Sequence, residues 1–562
     1  MERQVKEMCK MPKGNSDFRR IRKEGFVYID KTKYIEVLEN TNNISVHVLR
    51  PRRFGKTLFT SMLDAYYDID AEQEYEELFK GMYIYDHPTK EKHSYYILRF
   101  DFSGLNTNNA EILEKEIANR VYDSCRKFLK RYQIELDLEK RSAAGTLSQL
   151  LSIIDVNPLY VIIDEYDHFA NELLSFRFND FHDAVSKNGY VRKFYEVLKT
   201  GTTDSTIGKI FITGVSPITL DSMTSGFNIS TNLSLDTRFN EMMGFTKDEM
   251  KYLISMVNGG EDSDKMLLEL QRIYDGYMFS EDGTHHVFNP NISLYYLDYV
   301  QTFHKSPTEI IDPNIYSDYK KIENLLSIQP DVRQQEAFMD IISGKKLNVR
   351  LTRMFEMSKK FSTDDFISLL YYLGYLTIAG KEYDETILKI PNQVIETVYV
   401  DYFKSMMEQD FMIDHKEYST AIKDILLKKN NLKFVELIEK IMKGFSSRDY
   451  IKMDESHVKL AGFMIASGFS YMVVKTEYPV GKRYVDLAMF PHHVDGATAL
   501  FELKYIKKKD FSKALLEEKK QEAIDQLEAY QSAKEFEGKD IASWILIFCN
   551  EECVFNSQND KN

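Results

Sequence analysis

Three consecutive residues near the start of the chain are of the types that recur in phosphate-binding loops. Gly55, Lys56 and Thr57 follow the β-rich run NISVHVL and lead into TLFTSMLDAYYD, whose apolar residues recur at helical spacing. In such a strand–loop–helix segment, backbone N–H groups surround the phosphates, the lysine reaches the terminal phosphates, and the hydroxyl binds Mg²⁺. Arg50 stands six residues before the lysine. Glycine usually permits the strained backbone at the start of such a loop. Because Arg50 stands there, we predict a different backbone geometry at the start of this loop, residues 50–57, which we call the phosphate loop.

An acidic motif follows roughly 100 residues later. The run LYVIIDEYD is continuously apolar before its acids, which suits a strand buried on both faces. Asp164 at its end can hold Mg²⁺ through water, and Glu165 can orient or deprotonate the attacking water. Together the two motifs favour a nucleotide-hydrolase core over the alternative, a basic loop with an ordinary acidic strand end.

A third group of chemically capable residues lies near the end of the chain. YPVGKRYVDLAMF and ATALFELKYIKKK are predicted to be strands joined by the glycine-containing turn PHHVDG. Side chains two apart on a strand share a face, so Glu502 and Lys504 project together, and Asp486 on the neighbouring strand can meet them. Two carboxylates can hold Mg²⁺, which lowers the pKa of bound water, while lysine positions the nucleophile or stabilises phosphate charge. D…ExK by itself is a weak pattern, and its helix–strand–strand–helix context gives it value.

The composition limits the classes of protein to consider. The 562 residues predict roughly three to five domains, and 43% hydrophobic with 28% charged residues is ordinary for a globular chain. No apolar run is long enough to cross a bilayer, and MERQVKEMCKMPKG lacks a signal-peptide core, so we expect a cytoplasmic protein without membrane partners. Four cysteines cannot form a disulfide framework, and Cys549 and Cys553 lack the further ligands of a zinc site.

The net charge of −14 argues against a broad basic surface for nucleic acid. Any such contact would be local, through basic patches such as RPRR or KYIKKK. The alternative for each patch is a solvated face.

Hydrophobic periodicity divides the chain into regions. Over the first 240 residues strands and helices alternate, which predicts a mostly parallel sheet; within it, VRKFYEVLKTG is predicted to be a helix that ends at Gly201. Helical patterns then dominate, beginning with a capping box formed by Thr246 and Glu249. GYLTIAGKEYDETILKIPN predicts a hairpin after a helix, as in a winged-helix module, and a mixed pattern returns after residue 450.

The motifs RPRRFGKT, FVYIDKTKYI, VIIDEYD, FITGVSPI, YDGYMF and VFNP resemble the bacterial family of predicted AAA-type ATPases, whose loop has the form RPRRFGKS/T. The resemblance covers roughly residues 15–300 and implies a genuine ATP site, since Arg-Pro-Arg-Arg is the norm in that family. It implies a sensor role for Thr213 near the γ-phosphate, and Arg238 is a candidate arginine finger or else a surface arginine. The implied nucleotide-binding loop residues are Arg53, Phe54, Gly55, Lys56, Thr57 and Leu58.

The D…ExK arrangement resembles the PD-(D/E)XK nuclease superfamily, and its pairing with the ATPase matches a known two-domain architecture. Val485 replaces the proline that often precedes the first acid. Glu455 lies on a preceding helix, where the superfamily often adds an acid. Gln526 and Tyr530 resemble its QxxxY element. Glu477 has an unassigned role, and three histidines are expected at the surface, namely His168, His492 and His493.

These inferences predict an α/β protein in four parts. They are an AAA-type ATPase core with a P-loop NTPase parallel sheet at 1–240, a helical lid at 241–305, a helical, winged-helix-like middle at 306–445, and a restriction-endonuclease-like α/β domain at 446–562.

The leading functional hypothesis is an ATP-gated nuclease that uses ATP and Mg²⁺, with Mn²⁺ possible at the nuclease site. It would act on nucleic acid, foremost DNA, and could assemble as a homo-oligomer through the ATPase domain. The alternatives are an ATPase switch whose nuclease-like domain binds without cutting, and two independent enzymes on one chain.

Overall fold

The structure is a computed structural model of the chain. It divides into two compact units, Met1–Ser317 with Asn348–Val394, and Asp318–Leu347 with Ile395–Asn562. The residues that it describes are 9–106, 109–154, 158–168, 189–217, 229–258, 263–307, 309–312, 341, 346–355, 362–446, 453–469, 472–480, 483–491, 496–531, 536 and 538–558.

The first unit contains the parallel sheet that the alternating pattern predicts. Its strands lie in the order β2-β3-β4-β1-β5, and every neighbouring pair is parallel. All residues of β1 and β3 are buried, as expected of strands covered on both faces. The strands are β1 (Ser45–Leu49), β2 (Tyr96–Asp101), β3 (Leu159–Asp164), β4 (Ile207–Gly214) and β5 (Ser230–Asn232).

Helices connect these strands and extend beyond the sheet. They are α1 (Phe18–Lys23), α2 (Lys33–Glu39), α3 (Lys56–Tyr67), α4 (Tyr75–Phe79), α5 (Tyr83–Asp86), α6 (Ala110–Arg131), α7 (Ala143–Ile153), α8 (Tyr190–Thr203), α9 (Lys247–Asn258), α10 (Ser263–Tyr274), α11 (Pro290–Phe303) and α12 (Thr363–Tyr372). The predicted capping box is confirmed at the start of α9, where the Glu249 N–H donates to Thr246 Oγ1 and the Thr246 N–H donates to Glu249 Oε2.

The predicted end of α8 at Gly201 is wrong. The helix continues to Thr203, and Gly201 is buried inside it. A Cβ at Gly201 would lie 2.7 Å from the Ile207 side chain. The glycine therefore permits close packing of the helix on the strand that follows, and it does not end the helix.

The hairpin predicted after a helix is confirmed. The short strands of this region are β6 (Leu347–Val349), β7 (Thr377–Glu382) and β8 (Glu385–Lys389). Strands β7 and β8 pair antiparallel directly after α12.

The second unit holds an α/β domain with a mixed sheet in the order β13-β12-β11-β10-β9. Among the pairings of its described strands, only that of β11 with β12 is parallel. The helix Glu455–Ser467 packs on β9–β11, and the helix Lys513–Gln531 packs on β11 and β12. Val485 and Tyr530 are buried together in a hydrophobic cluster beside the second of these helices. The elements are α13 (Gln393–Gln409), α14 (His415–Lys428), α15 (Leu432–Ser446), α16 (Glu455–Ser467), α17 (Lys513–Gln531), β9 (Met472–Val480), β10 (Arg483–Pro491), β11 (Thr498–Ile506), β12 (Ile541–Cys549) and β13 (Glu552–Asn556). Across the described residues, none of the helices combines the length and apolar character needed to cross a membrane.

A buried ion-pair network holds α3, the helix after the phosphate loop. Asp64 on α3 accepts from Arg19 Nη1 of α1 at 2.8 Å and from Arg131 Nη2 of α6 at 2.9 Å. Arg131 also pairs with Asp68, which follows α3. Burial would raise the pKa of Asp64, but hydrogen bonds and charge from the two arginines outweigh it and lower that pKa below its ordinary value.

We expect Asp64→Asn to lower the free energy of unfolding by about 3 kcal/mol at neutral pH, because it leaves two partly buried guanidinium groups without their shared carboxylate. Since the folded-state pKa of Asp64 is depressed, its contribution is complete above the ordinary aspartate pKa and is lost as the pH falls through the folded-state value. Urea unfolding from pH 7 to pH 3 should show this difference shrinking only at the acidic end. Exposed Glu77→Gln is the control, and a difference constant over the range would contradict the prediction.

Candidate active sites

The phosphate loop joins the end of β1 to the start of α3. The loop backbone is left-handed at Gly55, with φ 89°, and at Arg53, with φ 71°. Lys56 is the first residue of α3, and its Nζ donates to the carbonyls of Arg50 and Pro51, each at 3.0 Å. Burial lowers the pKa of Lys56, opposed by the nearby acids. The lysine thus lies within the curve of the loop, facing carboxylates.

Arg50, the departure from the usual loop pattern, is a buried structural residue. Its Nη1 donates to the carbonyls of Leu49 at 2.8 Å and Ser234 at 2.9 Å, and its Nη2 donates to Phe239 O at 2.6 Å. The guanidinium also lies 4.2 Å from the centre of the Phe279 ring. Burial lowers the Arg50 pKa to about 10. The suggestion that RPRR forms a nucleic-acid patch is therefore wrong for Arg50, which ties the loop to the residues after β5.

Arg50→Met should lower the free energy of unfolding by about 2–4 kcal/mol, because it removes hydrogen bonds to three carbonyls and a guanidinium–ring contact from a buried position. Arg53→Met provides a matched control in the same loop. Because Arg53 is exposed, this substitution should lower the free energy of unfolding by less than about 0.5 kcal/mol. Urea unfolding monitored by circular dichroism measures both. Equal stability of the two variants would contradict the structural role of Arg50.

The other loop residues have different surroundings. Phe54 is buried, and its ring meets those of Tyr277 and Phe279 edge-on, with centroids 4.9 and 5.2 Å apart. Thr57 and Leu58 lie half-buried in the first turn of α3.

The acidic strand end lies close to the loop. Strand β4 pairs with both β1 and β3, so the carboxyl ends of the three strands meet at one edge. Asp164 is buried there, accepts from Thr213 Oγ1 at 2.5 Å, and lies 3.7 Å from Arg99 Nη2. The structure thus brings together Lys56, Asp164 and Thr213, and it adds Arg99, which no sequence motif indicated.

Glu165 has a left-handed backbone, with φ 51°, at the start of the turn after β3. The hydrogen bond from His168 Nδ1, 3.2 Å from Glu165 Oε2, lowers the Glu165 pKa to about 2, despite burial, with help from the charge of Lys56. The expected surface position of His168 is wrong, because its side chain is mostly buried against this carboxylate. Arg238, the candidate arginine finger, lies at the surface and forms an ion pair with Asp236. The other two histidines expected at the surface, His492 and His493, lie outside the described residues, as does most of the PHHVDG turn.

In the second unit, strand register brings the D…ExK residues together. Leu487 pairs with Phe501 between β10 and β11, so the next positions, Asp486 and Glu502, lie opposite each other. Lys504 follows two residues later on the same face. All three side chains are buried.

Short polar contacts join these three side chains. Lys504 Nζ lies 2.6 Å from Glu502 Oε1 and 4.0 Å from Asp486 Oδ2. Asp486 Oδ2 also accepts from the Leu503 N–H at 2.7 Å. Burial, and next the charge of Asp486, raises the pKa of Glu502 to about 7, although Lys504 opposes the shift.

A second lysine, which the sequence analysis missed, lies among the acids. Lys459 on α16 contacts Asp486 Oδ1 at 2.6 Å, Glu477 Oε1 at 2.5 Å and Glu455 Oε1 at 3.2 Å. Its position four residues after Glu455 was the available signal, because such residues share a helical face. Burial raises the pKa of Glu455, and the charge of Asp486 adds to this shift. The acid–lysine cluster is Glu455, Lys459, Glu477, Asp486, Glu502 and Lys504.

The two QxxxY residues lie on α17. Tyr530 is buried beside Glu502, and its hydroxyl donates to the Tyr484 carbonyl at 2.6 Å. Gln526 is half-buried, and its Oε1 has no hydrogen-bond partner among the described residues. Tyr530 therefore supports the sheet next to Glu502.

The donor set suits one hard cation. Glu502 Oε2 is buried without a hydrogen-bond partner among the described residues, and Asp486 is the carboxylate opposite it. Within the same part of the chain, no three His, Cys, Asp or Glu side chains are grouped to hold a metal by themselves. Two carboxylates leave open positions for water and phosphate oxygens, as Mg²⁺ sites usually do.

Two family models match the chain. The model described as Predicted AAA-ATPase matches residues 12–224, and the model of the PD-(D/E)XK nuclease superfamily matches residues 453–558. The first segment contains the phosphate loop and the acidic end of β3, and the second contains the whole acid–lysine cluster. Both predicted resemblances are confirmed.

Individual relatives are more distant. An uncharacterized protein in the vnfD 5′ region of Azotobacter chroococcum mcd 1 is 26% identical over 289 residues, which are 50% of this chain and 50% of that protein. The aligned part thus spans about half of this curated relative. Among solved structures, the Walker-type ATPase PABY2304 of Pyrococcus abyssi has 15% identity and a TM-score of 0.36, covering 70% of this chain and 98% of its own. The ORC2 protein of Aeropyrum pernix has 11% identity and a TM-score of 0.32, covering 70% and 99%.

Proposed function

We propose that this chain, which joins an AAA-ATPase-like domain to a PD-(D/E)XK nuclease superfamily domain, hydrolyses ATP and cuts DNA under nucleotide control. The observation that carries the proposal is the convergence of Asp486, Glu502 and Lys504 at one place on the second sheet. The four-part division at residues 240, 305 and 445 remains part of the proposal, as does assembly through the ATPase domain.

At the ATP site, residues of the loop and the sheet edge would share the work. Lys56 would leave the carbonyls of Arg50 and Pro51 to reach the terminal phosphates, and Thr57 with Asp164 would hold Mg²⁺. Glu165 is kept ionised by His168, which suits a group that orients the attacking water, although its lowered pKa makes it a weak proton acceptor. Thr213 would hold Asp164 in place and sense the γ-phosphate.

At the nuclease site, Asp486 and Glu502 would hold the metal, and Lys504 would position the attacking water or stabilise the phosphate charge. Bound Mg²⁺ or Mn²⁺ would supply a more acidic water and a Lewis acid for the phosphodiester. Glu455 lies at the edge of the same cluster, where its raised pKa suits a proton donor or acceptor. The exposed lysines next to β11 could hold the backbone of the substrate, namely Lys507, Lys508 and Lys509.

Nucleotide control needs a route out of the loop, and packing in the first unit offers one. Phe54 contacts Tyr277 and Phe279, and Pro51 lies against Gly374, where an added Cβ would be 2.8 Å from it. A change in loop conformation on hydrolysis would therefore shift the segments around residues 277 and 374.

A switch protein that binds without cutting is the second candidate. The observation that favours it is Lys459, whose ammonium takes up carboxylate oxygens that a metal would otherwise use. The four cysteines are free, which suits a reducing cytoplasm for either candidate.

One experiment separates the two candidates. The full chain is incubated with plasmid, single-stranded DNA and RNA, each with and without ATP and with Mg²⁺ or Mn²⁺. Cleavage that requires metal and changes with ATP supports the gated nuclease. ATP hydrolysis without cleavage of any substrate under any metal would support the switch.

A further inference from the structure

Lys459 occupies a central place in the acid–lysine cluster. Its Nζ lies within 3.2 Å of one oxygen from each of three carboxylates, two of them at 2.6 Å or less. Those acids come from three elements, α16, β9 and β10, so the ammonium bridges them as a metal ion would.

The two oxygens of Asp486 face different partners. Oδ1 contacts Lys459, whereas Oδ2 accepts the Leu503 N–H and lies 4.0 Å from Lys504 Nζ. On the Lys504 side, Glu502 Oε2 is buried without a hydrogen-bond partner in the described residues. Asp486 Oδ1 is thus paired with one ammonium at 2.6 Å, whereas on the Oδ2 side the Lys504 ammonium lies 4.0 Å away and the neighbouring Glu502 Oε2 has no hydrogen-bond partner among the described residues.

The backbone at Glu477 supports the importance of this contact. Glu477 is opposite Asp486 in the register of β9 and β10, yet its φ of 47° is left-handed, a conformation that costs a non-glycine residue about 1 kcal/mol or more. The kink interrupts the strand where Glu477 contacts Lys459. The regular pairing of β9 with β10 is thus interrupted at Glu477, the residue whose carboxylate contacts the Lys459 ammonium.

The formal charges agree with a single ion. With every group ionised, as a bound cation would favour, the cluster contains four carboxylates and two ammonium groups, and the excess of two negative charges equals the charge of one divalent cation. Replacing Lys459 by a neutral residue would leave three negative charges in excess and free oxygens of Glu455, Glu477 and Asp486.

We propose that Lys459 is a tethered cation that takes the place of a second metal ion, so that the cluster binds one divalent cation, at Asp486 and Glu502. The proposal rests on the metal site of the proposed function. It adds the number of metal ions that the site binds and names Lys459 as the residue that limits this number to one. Lys459 is accordingly a positioning residue for the carboxylates.

Electron paramagnetic resonance measures Mn²⁺ binding to the full chain in the absence of nucleotide and tests the proposal of a single bound ion. Asp486→Asn serves as the reference for ions bound elsewhere, and the difference from it counts the ions in the cluster. We expect one ion in the wild type, two in Lys459→Met and one in Lys459→Arg, which keeps the charge. One ion in Lys459→Met, or two in the wild type, would overturn the proposal.

A second variant covers the case that Lys459→Met does not fold. The double variant Lys459→Met/Glu477→Gln removes one charge of each sign and should bind one ion about tenfold more tightly than the wild type, because Asp486 Oδ1 is released. Unchanged affinity would contradict the role of Lys459. If Asp486→Asn binds as many ions as the wild type, the metal site itself is wrong, and the proposed nuclease function fails with it.

Discussion

Asp486→Asn should reduce metal-dependent DNA cleavage by about a thousandfold or more. The substitution keeps the shape of the side chain but removes one of the two carboxylates proposed to hold the metal, together with the charge that faces Lys504. Cleavage rates are measured on labelled DNA under saturating Mn²⁺. Glu518→Gln, an exposed acid on α17, is the matched control and should cleave at the wild-type rate.

Lys504→Met distinguishes a role in chemistry from a role in metal binding. It should lose cleavage to a similar degree while Mn²⁺ still binds, because Lys504 is proposed to act on water or phosphate. Cleavage that persists in both Asp486→Asn and Lys504→Met would show that the nuclease activity resides at another site.

Lys56→Ala should abolish ATP turnover, with a loss of about a hundredfold or more. Without Lys56 the loop has no ammonium for the terminal phosphates, and the carbonyls of Arg50 and Pro51 lose their donor. Phosphate release under saturating ATP is the measurement, with exposed Lys80→Ala as the control. Intact turnover in Lys56→Ala would exclude this loop as the ATP site.

The same variant reports on coupling between the two activities. If nucleotide gates the nuclease, the ATP-dependent part of DNA cleavage should disappear in Lys56→Ala. Cleavage that is identical with and without ATP in the wild type would instead favour two independent enzymes on one chain.

Local patterns were sufficient for much of the fold and for the family. The parallel sheet, the capping box at Thr246, the hairpin after α12 and the two family resemblances were all predictable, because each depends on residues close together in the chain or on a motif. Gly201 shows the limit, since a glycine near a helix end has the same local pattern whether it ends the helix or lets a neighbour approach.

Sequence motifs alone identified the residues that we propose to carry the chemistry, namely the loop around Lys56, the acids at the end of β3, and the D…ExK group around Asp486. Their electrostatic surroundings follow from the folded arrangement of the chain. Arg50 is buried and bonded to carbonyls that lie far from it in the chain. Lys459 contacts the carboxylates of Glu477 and Asp486, which also lie on other elements. Burial strengthens these charge interactions by excluding water, and a linear pattern cannot reveal which distant groups are excluded from water together.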